Sequence, residues 1–216
     1  MSALAHPESH RSRPDGQNIA CVILAAGLSR RMGGGSKMLA SLQGVPMIVH
    51  SVRAAQKAQI GPVLVVVGHQ AAAVRQCLAG EMVRIVENPD YECGLSASVK
   101  AGVQAVPEHC AAALFMLGDM PRVAPETLRS LAQSYWAAEK PPAVVPYYHG
   151  KRGNPVLWDR SQFSALAALQ GDQGARGLLK AFGSKIRALD VEDQGILQDA
   201  DDPASLARLH AAFERD

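Results

Sequence analysis

Arg31, Lys37 and Asp119 are the residues whose types and surroundings point most directly to chemistry. Arg31 and Lys37 lie in Leu24-Ala25-Ala26-Gly27-Leu28-Ser29-Arg30-Arg31-Met32-Gly33-Gly34-Gly35-Ser36-Lys37. Small residues let backbone approach a ligand closely, and free N–H groups can cradle anionic oxygens. Arginine adds a forked donor and lysine a compact point charge, a pairing that suits a polyphosphate. Asp119 ends Leu114-Phe115-Met116-Leu117-Gly118-Asp119-Met120-Pro121. Its carboxylate is a hard ligand suited to Mg²⁺, which takes one or two carboxylates and fills its shell with water and phosphate. An aspartate in a turn can also simply cap its own backbone.

Two better-known phosphate loops do not fit this segment. A Walker loop needs G-x-x-x-x-G-K-[ST], whereas Ser36 precedes Lys37 and Met38 follows it. The dinucleotide fingerprint G-x-G-x-x-G fails at its second glycine, where Ser29 stands.

The elements that must position these residues alternate along the chain. Ile19 to Leu24 is a continuous apolar run, the pattern of a strand buried on both faces. Further strands are predicted over Pro62–Val67, Met82–Val86, Ala111–Leu117 and Ala143–Pro146, through Leu157, and over Ile186–Leu189. Helices are predicted from Pro46 to Ala58, Ala71 to Ala79, Ser96 (as N-cap) to Val106 and Pro125 to Ala138. Three more follow over Phe163–Leu169, Ala175–Phe182 and Pro203–Phe213. This alternation implies an α/β fold of three layers, a mostly parallel Rossmann-like sheet covered on both faces. In such sheets ligands bind outside the carboxyl ends of the strands. The loop after Leu24 and the turn at Gly118-Asp119 both follow strands there, which assigns them to one site.

Composition bounds the rest. The 216 residues suit one domain, with residues 1–18 read as a disordered tail and 19–216 as the folded unit. Lys and Arg total 22 against 20 Asp and Glu, too even a balance for a nucleic-acid binder. Cys21, Cys77, Cys93 and Cys110 form no C-x-x-C pair and read as reduced thiols of a cytoplasmic protein. The N-terminus has no signal-peptide core, and no apolar run is long enough to span a membrane.

The glycine-rich segment resembles the signature L-A-[AG]-G-x-S-x-R-M-G, followed by Lys, of the MobA-like nucleotidyltransferases. Leu24, Ala25, Ala26, Gly27, Ser29, Arg31, Met32, Gly33 and Lys37 match it, with one extra residue before Lys37. The resemblance implies a single-domain nucleotidyltransferase fold, with Arg31 and Lys37 on the triphosphate and Asp119 on Mg²⁺. It also implies nucleotide contacts from Leu24, Ala25, Ala26 and Gly27, and places Asn88 near the base or ribose, with Gly94 and Ser96 along the cleft. Arg152-Gly153-Asn154-Pro155 and Gly171-Asp172-Gln173-Gly174-Ala175-Arg176 are similar to acceptor-side segments of the family, with Arg152 and Arg176 as candidate phosphate partners. Asp199-Ala200-Asp201-Asp202-Pro203 resembles its closing segment, with Asp202 capping the last helix and Asp201 near the metal. His69 is either a contact to the base or a surface histidine.

Family members transfer a nucleotide to molybdopterin, using CTP in one branch and GTP in another. Ala26, Gly118-Asp119-Met120-Pro121 and Gly171 to Arg176 point to the cytidylyl branch. The expected substrates are therefore CTP and molybdopterin, with a molybdenum hydroxylase or its chaperone as recipient. Guanylyl transfer, another acceptor such as a sugar phosphate, a molybdopterin carrier and a dinucleotide-using oxidoreductase are the alternatives.

Overall fold

The computed structural model describes residues 18–29, 36–171 and 174–214. Arg31 and residues 1–17 therefore lie outside the described residues, as do Asp172 and Gln173. The strands are β1 (Asn18–Ala25), β2 (Ser41–Leu42), β3 (Val45–Pro46), β4 (Val63–Val67), β5 (Arg84–Glu87), β6 (Cys110–Leu117), β7 (Ala143–Tyr148), β8 (Lys151–Arg152), β9 (Val156–Asp159) and β10 (Arg187–Asp190). The helices are α1 (Met47–Ala58), α2 (Ala71–Cys77), α3 (Leu95–Ala105), α4 (Pro125–Ala137), α5 (Phe163–Ala167), α6 (Arg176–Phe182) and α7 (Pro203–Phe213). Asn18, read from sequence as the end of the tail, is the first residue of β1.

The main sheet runs β10-β7-β9-β6-β1-β4-β5, with β8 paired to β7. β1 is parallel to both β4 and β6, and β5 is parallel to β4. β9 runs antiparallel between β6 and β7, so the sheet is mixed. Apolar content cannot reveal strand direction, because either direction buries the same side chains.

Side chains alternate across the sheet, as strand geometry requires. Cys21, Ile23 and Ala25 join one core with α1, α2 and α4. Ala20, Val22, Leu24 and Ala26 join a second core with α3, α5 and α6. A third, small cluster holds α7 against the β2–β3 hairpin through Leu42, Met47, Ala200 and Leu209.

Local chemistry sets several boundaries. α3 begins at Leu95 behind Gly94 as N-cap (φ 96°), which corrects the sequence expectation that Ser96 caps it. No L side chain adopts that φ without strain, so glycine takes the position. The N-terminus of α4 is held from far along the chain. The Asp193 carboxylate accepts from Ala124 N at 2.9 Å and Thr127 Oγ1 at 2.6 Å. Asp202 caps α7 in a reciprocal box with Ser205, as the sequence predicts. Among the described residues, no helix is long and apolar enough to cross a membrane.

Candidate active site

The order β6-β1-β4 makes the end of β1 a switch point, where a cleft must open between connections that leave in opposite directions. Leu24 and Ala26 face this cleft from β1 and the residues beyond it, and Leu117 and Asp119 face it from the end of β6. Gly118 joins the two strand ends, its N–H donating to Leu24 O at 2.9 Å. A Cβ on Gly118 would stand 2.8 Å from Ile48 Cδ1 and 2.9 Å from Met38 Sδ, so a larger residue would have to displace both side chains.

Asp119 does not stand alone. Its carboxylate pairs with the Lys37 ammonium, and Lys37 Nζ also donates to Asp201 Oδ1 at 3.1 Å. The Lys37 side chain is 15% exposed, Asp119 6% and Asp201 49%. Ala200 N donates to Asp119 O at 3.2 Å, which stitches the 199–201 segment to the strand end. Burial alone would lower the Lys37 pKa. The charges of Asp119 and Asp201 and their hydrogen bonds outweigh burial and raise it above the ordinary lysine value. Asp199 is raised by burial first, then by the charges of Asp201 and Asp119. This corner therefore carries more negative charge than one ammonium offsets, and two carboxylates converge on a single cationic atom. That donor set fits a hard divalent cation whose remaining ligands are water or phosphate. Among the described residues, no group of three or more His, Cys, Asp or Glu is arranged to hold a metal unaided.

The cleft has two lobes. The first, about 530 Å³, is bordered by Gly27, Leu28, Ser29, Lys37, Tyr91 and Asp119. Ser29 takes a positive φ of 51°, and its Oγ accepts from Lys37 N at 3.3 Å, which folds the end of the loop back toward its start. The second lobe, about 790 Å³, has an apolar floor of Val99, Phe115, Val156, Trp158 and Leu179. Arg152 borders this lobe, while Arg176, Asn154, Leu95 and Asp201 border both. Gly153 is close-packed there: a Cβ would lie 2.5 Å from Ile196 O.

The residues singled out by sequence fall in different places. Lys37, Asp119, Leu24, Ala26, Gly27 and Gly94 line the first lobe. Ala25 does not reach it; its methyl packs into the core beneath α1. Asn88 and Ser96 face a separate cavity beside Lys100 and Gln104. The buried Asn88 side chain donates to Ser98 Oγ at 3.1 Å and accepts from Asp90 N at 3.1 Å, bracing the turn against α3. Arg31 lies outside the described residues. His69 is absent from the lining of either lobe; its N–H donates to Ala26 O at 3.3 Å. Sequence reasoning missed Tyr91, Glu92 and the apolar floor of the second lobe. Trp158 and Phe115 read as ordinary strand residues because which face of a strand borders a cleft depends on the packing around it.

The MobA-like NTP transferase domain family matches residues 21–188. The chain belongs to that family. It is 35% identical over 141 residues to the molybdenum cofactor cytidylyltransferase of Escherichia coli K12, covering 64% of this chain and 69% of that protein. It is 28% identical over 200 residues to nicotine blue oxidoreductase of Paenarthrobacter nicotinovorans, covering 87% of this chain and 94% of that one. The chain spans only 25% of another curated relative, the bifunctional protein GlmU of Geobacter metallireducens, at 32% identity over 121 residues. Among solved structures, a manganese complex of Rv0371c from Mycobacterium tuberculosis H37Rv superposes with a TM-score of 0.78 at 28% identity. That match covers 90% of this chain and 99% of Rv0371c. Membership in the family and the agreement in fold make the chain a nucleotidyltransferase with a single, mostly parallel domain.

Proposed function

We propose that the chain transfers CMP from CTP to the phosphate of molybdopterin and releases pyrophosphate. The observation that supports this reading most is the Lys37 ammonium between Asp119 and Asp201, beside the end of the glycine-rich loop. Asp119 and Asp201 would hold Mg²⁺, which supplies the charge that neutralises a triphosphate and eases pyrophosphate departure. The manganese in the Rv0371c complex is consistent with a divalent cation in this fold.

The chain's own residues contribute position and charge. Lys37, with Arg31 as the second cation, offsets the polyphosphate. Backbone N–H groups around Gly27 to Ser29 donate to its oxygens. Arg152 and Arg176 border the second lobe, where they can hold an acceptor phosphate. An oxygen of that phosphate bonds to the α-phosphorus, the bond from the α-phosphorus to the bridging oxygen breaks, and pyrophosphate leaves. No protein nucleophile is needed, so rate enhancement comes from alignment and electrostatics. The apolar floor of Trp158, Phe115 and Val156 suits a flat ring system better than a sugar, whose hydroxyls would lose hydrogen bonds there.

Two features favour CTP. The E. coli relative is a cytidylyltransferase. The Ala26 methyl borders the first lobe, where it leaves less room for a purine than a glycine would. The product would pass to a molybdenum hydroxylase or its chaperone.

The test is pyrophosphate release from CTP, GTP, UTP and ATP, with and without molybdopterin and Mg²⁺. Release with CTP that depends on molybdopterin is the expected result. Selective use of GTP overturns the nucleotide assignment. Failure to release pyrophosphate from any triphosphate overturns the transferase reading and favours a carrier or a redox role like that named for the Paenarthrobacter relative.

A further inference from the structure

We infer that the docking of α7 on the β2–β3 hairpin positions Asp201 for the metal, and that Leu209 and Phe213 are positioning residues for the site. This inference rests on the proposed reading of Asp201 as a metal ligand.

Asp119 follows closely on the end of the central strand β6. Asp201 lies instead on a short connection, and its side chain is half exposed. Two features hold that connection. Upstream, Ala200 is fully buried and its N–H donates to Asp119 O at 3.2 Å. Downstream, Asp202 is the N-cap of α7, so the direction in which the backbone leaves Asp201 is the direction of that helix.

The helix belongs to neither main core. It is held by the separate cluster of Leu42, Met47, Ala200 and Leu209, with Leu206 and Phe213 packed against it. Phe213, at the far end of α7, is gripped from three sides. The His50 ring meets it edge-on at 4.8 Å, the Arg122 guanidinium lies 5.6 Å from its centroid, and Gln43 Nε2 donates to its carbonyl.

Lys37 hangs on the same cluster from the other side. Its turn ends at Ala40, whose N–H donates to Lys37 O at 3.2 Å, and Met47 N donates to Ala40 O at 2.8 Å. The contact between Lys37 and Asp201, 164 positions apart, therefore closes a ring of structure around one small apolar cluster. Loosening the cluster separates these two groups and leaves the strand-end carboxylate in place. A helix that served stability alone would not tie its removal to metal affinity.

The test measures Mn²⁺ binding to the full chain without nucleotide, from the free-ion electron paramagnetic resonance signal. It compares wild type with Leu209→Ala, Phe213→Ala, Leu209→Met and Asp119→Ala. The expected result is Mn²⁺ affinity weakened about tenfold or more in Leu209→Ala, the scale typical of lost support behind a metal ligand. Phe213→Ala shifts in the same direction, and Leu209→Met restores binding. In turnover, Leu209→Ala raises the Mg²⁺ concentration for half-maximal rate, and saturating Mg²⁺ recovers the rate. Wild-type Mn²⁺ affinity in a folded Leu209→Ala overturns the inference, as does a loss that Leu209→Met does not repair. Should Leu209→Ala not fold, Phe213→Ala decides by the same criterion. Binding lost in Asp119→Ala but kept in both α7 variants sinks the positioning role and leaves the proposed function standing. Metal effects as expected without CMP transfer sink the proposed function instead.

Discussion

Replacing Lys37 with methionine keeps the length of the side chain and removes its charge. Asp119, 6% exposed, then loses the ammonium that offsets it, while Asp201 at 49% remains hydrated. Breaking a fully buried pair on one side costs about 3–5 kcal/mol. Here the orphaned carboxylate borders a cleft of about 530 Å³ that admits water, which reduces the cost to about 1–3 kcal/mol. For a domain of this size each kcal/mol moves Tm by about 2–4 °C, so Lys37→Met should melt roughly 2–12 °C below wild type. Adding Asp119→Asn removes the second charge and should recover most of the loss, because the penalty belongs to the unpaired carboxylate. Millimolar Mg²⁺ should stabilise Lys37→Met more than wild type, since a bound cation adds about 2.7 kcal/mol at a hundred times its Kd. Thermal melts followed by circular dichroism measure all of this. A Lys37→Met protein that melts with wild type in metal-free buffer would refute the reasoning. So would a double variant no more stable than Lys37→Met.

Other outcomes follow from the same geometry. Asp119→Ala should abolish pyrophosphate release while circular dichroism stays native; a near-normal rate would remove Asp119 from the metal site. Gly68→Ala places a Cβ 2.5 Å from Tyr91 Cβ and should raise the KM for nucleotide more than that for acceptor, as initial-rate kinetics would show. The folded pKa of Lys37 is raised, so its contribution to stability is complete below about pH 10.5 and fades as pH climbs through the higher folded value. Urea melts at pH 9 and 11 should show a smaller alkaline loss in Lys37→Met than in wild type. Asp193→Ala removes acceptors from Ala124 N, Thr127 Oγ1 and Gly195 N and should cost about 1–3 kcal/mol in denaturant unfolding, with little change in nucleotide KM.

Much of this protein was legible in the chain itself. Apolar runs such as Ile19–Leu24 and Ala111–Leu117 read as buried strands, and the stripe of Leu128, Leu131 and Tyr135 reads as the inner face of a helix, as the fold bears out. Gly27, Ser29, Lys37 and Asp119 carry the expectation of polyphosphate binding because small residues, a cation and a hard carboxylate suit that ligand.

The tertiary structure decided the rest, and in each case the reason is contact between distant segments. Strand order and the reversed direction of β9 depend on which faces pack together, which no local pattern encodes. Asn88 reads from sequence as lying near the base or ribose, and only the position of α3 shows that its amide is held by Ser98. The cap of α7 by Asp202 was legible in the sequence, since the capping box with Ser205 is local. What only the fold decides is the contact of Asp201 with Lys37, because it joins segments 164 positions apart that meet only once the chain has folded.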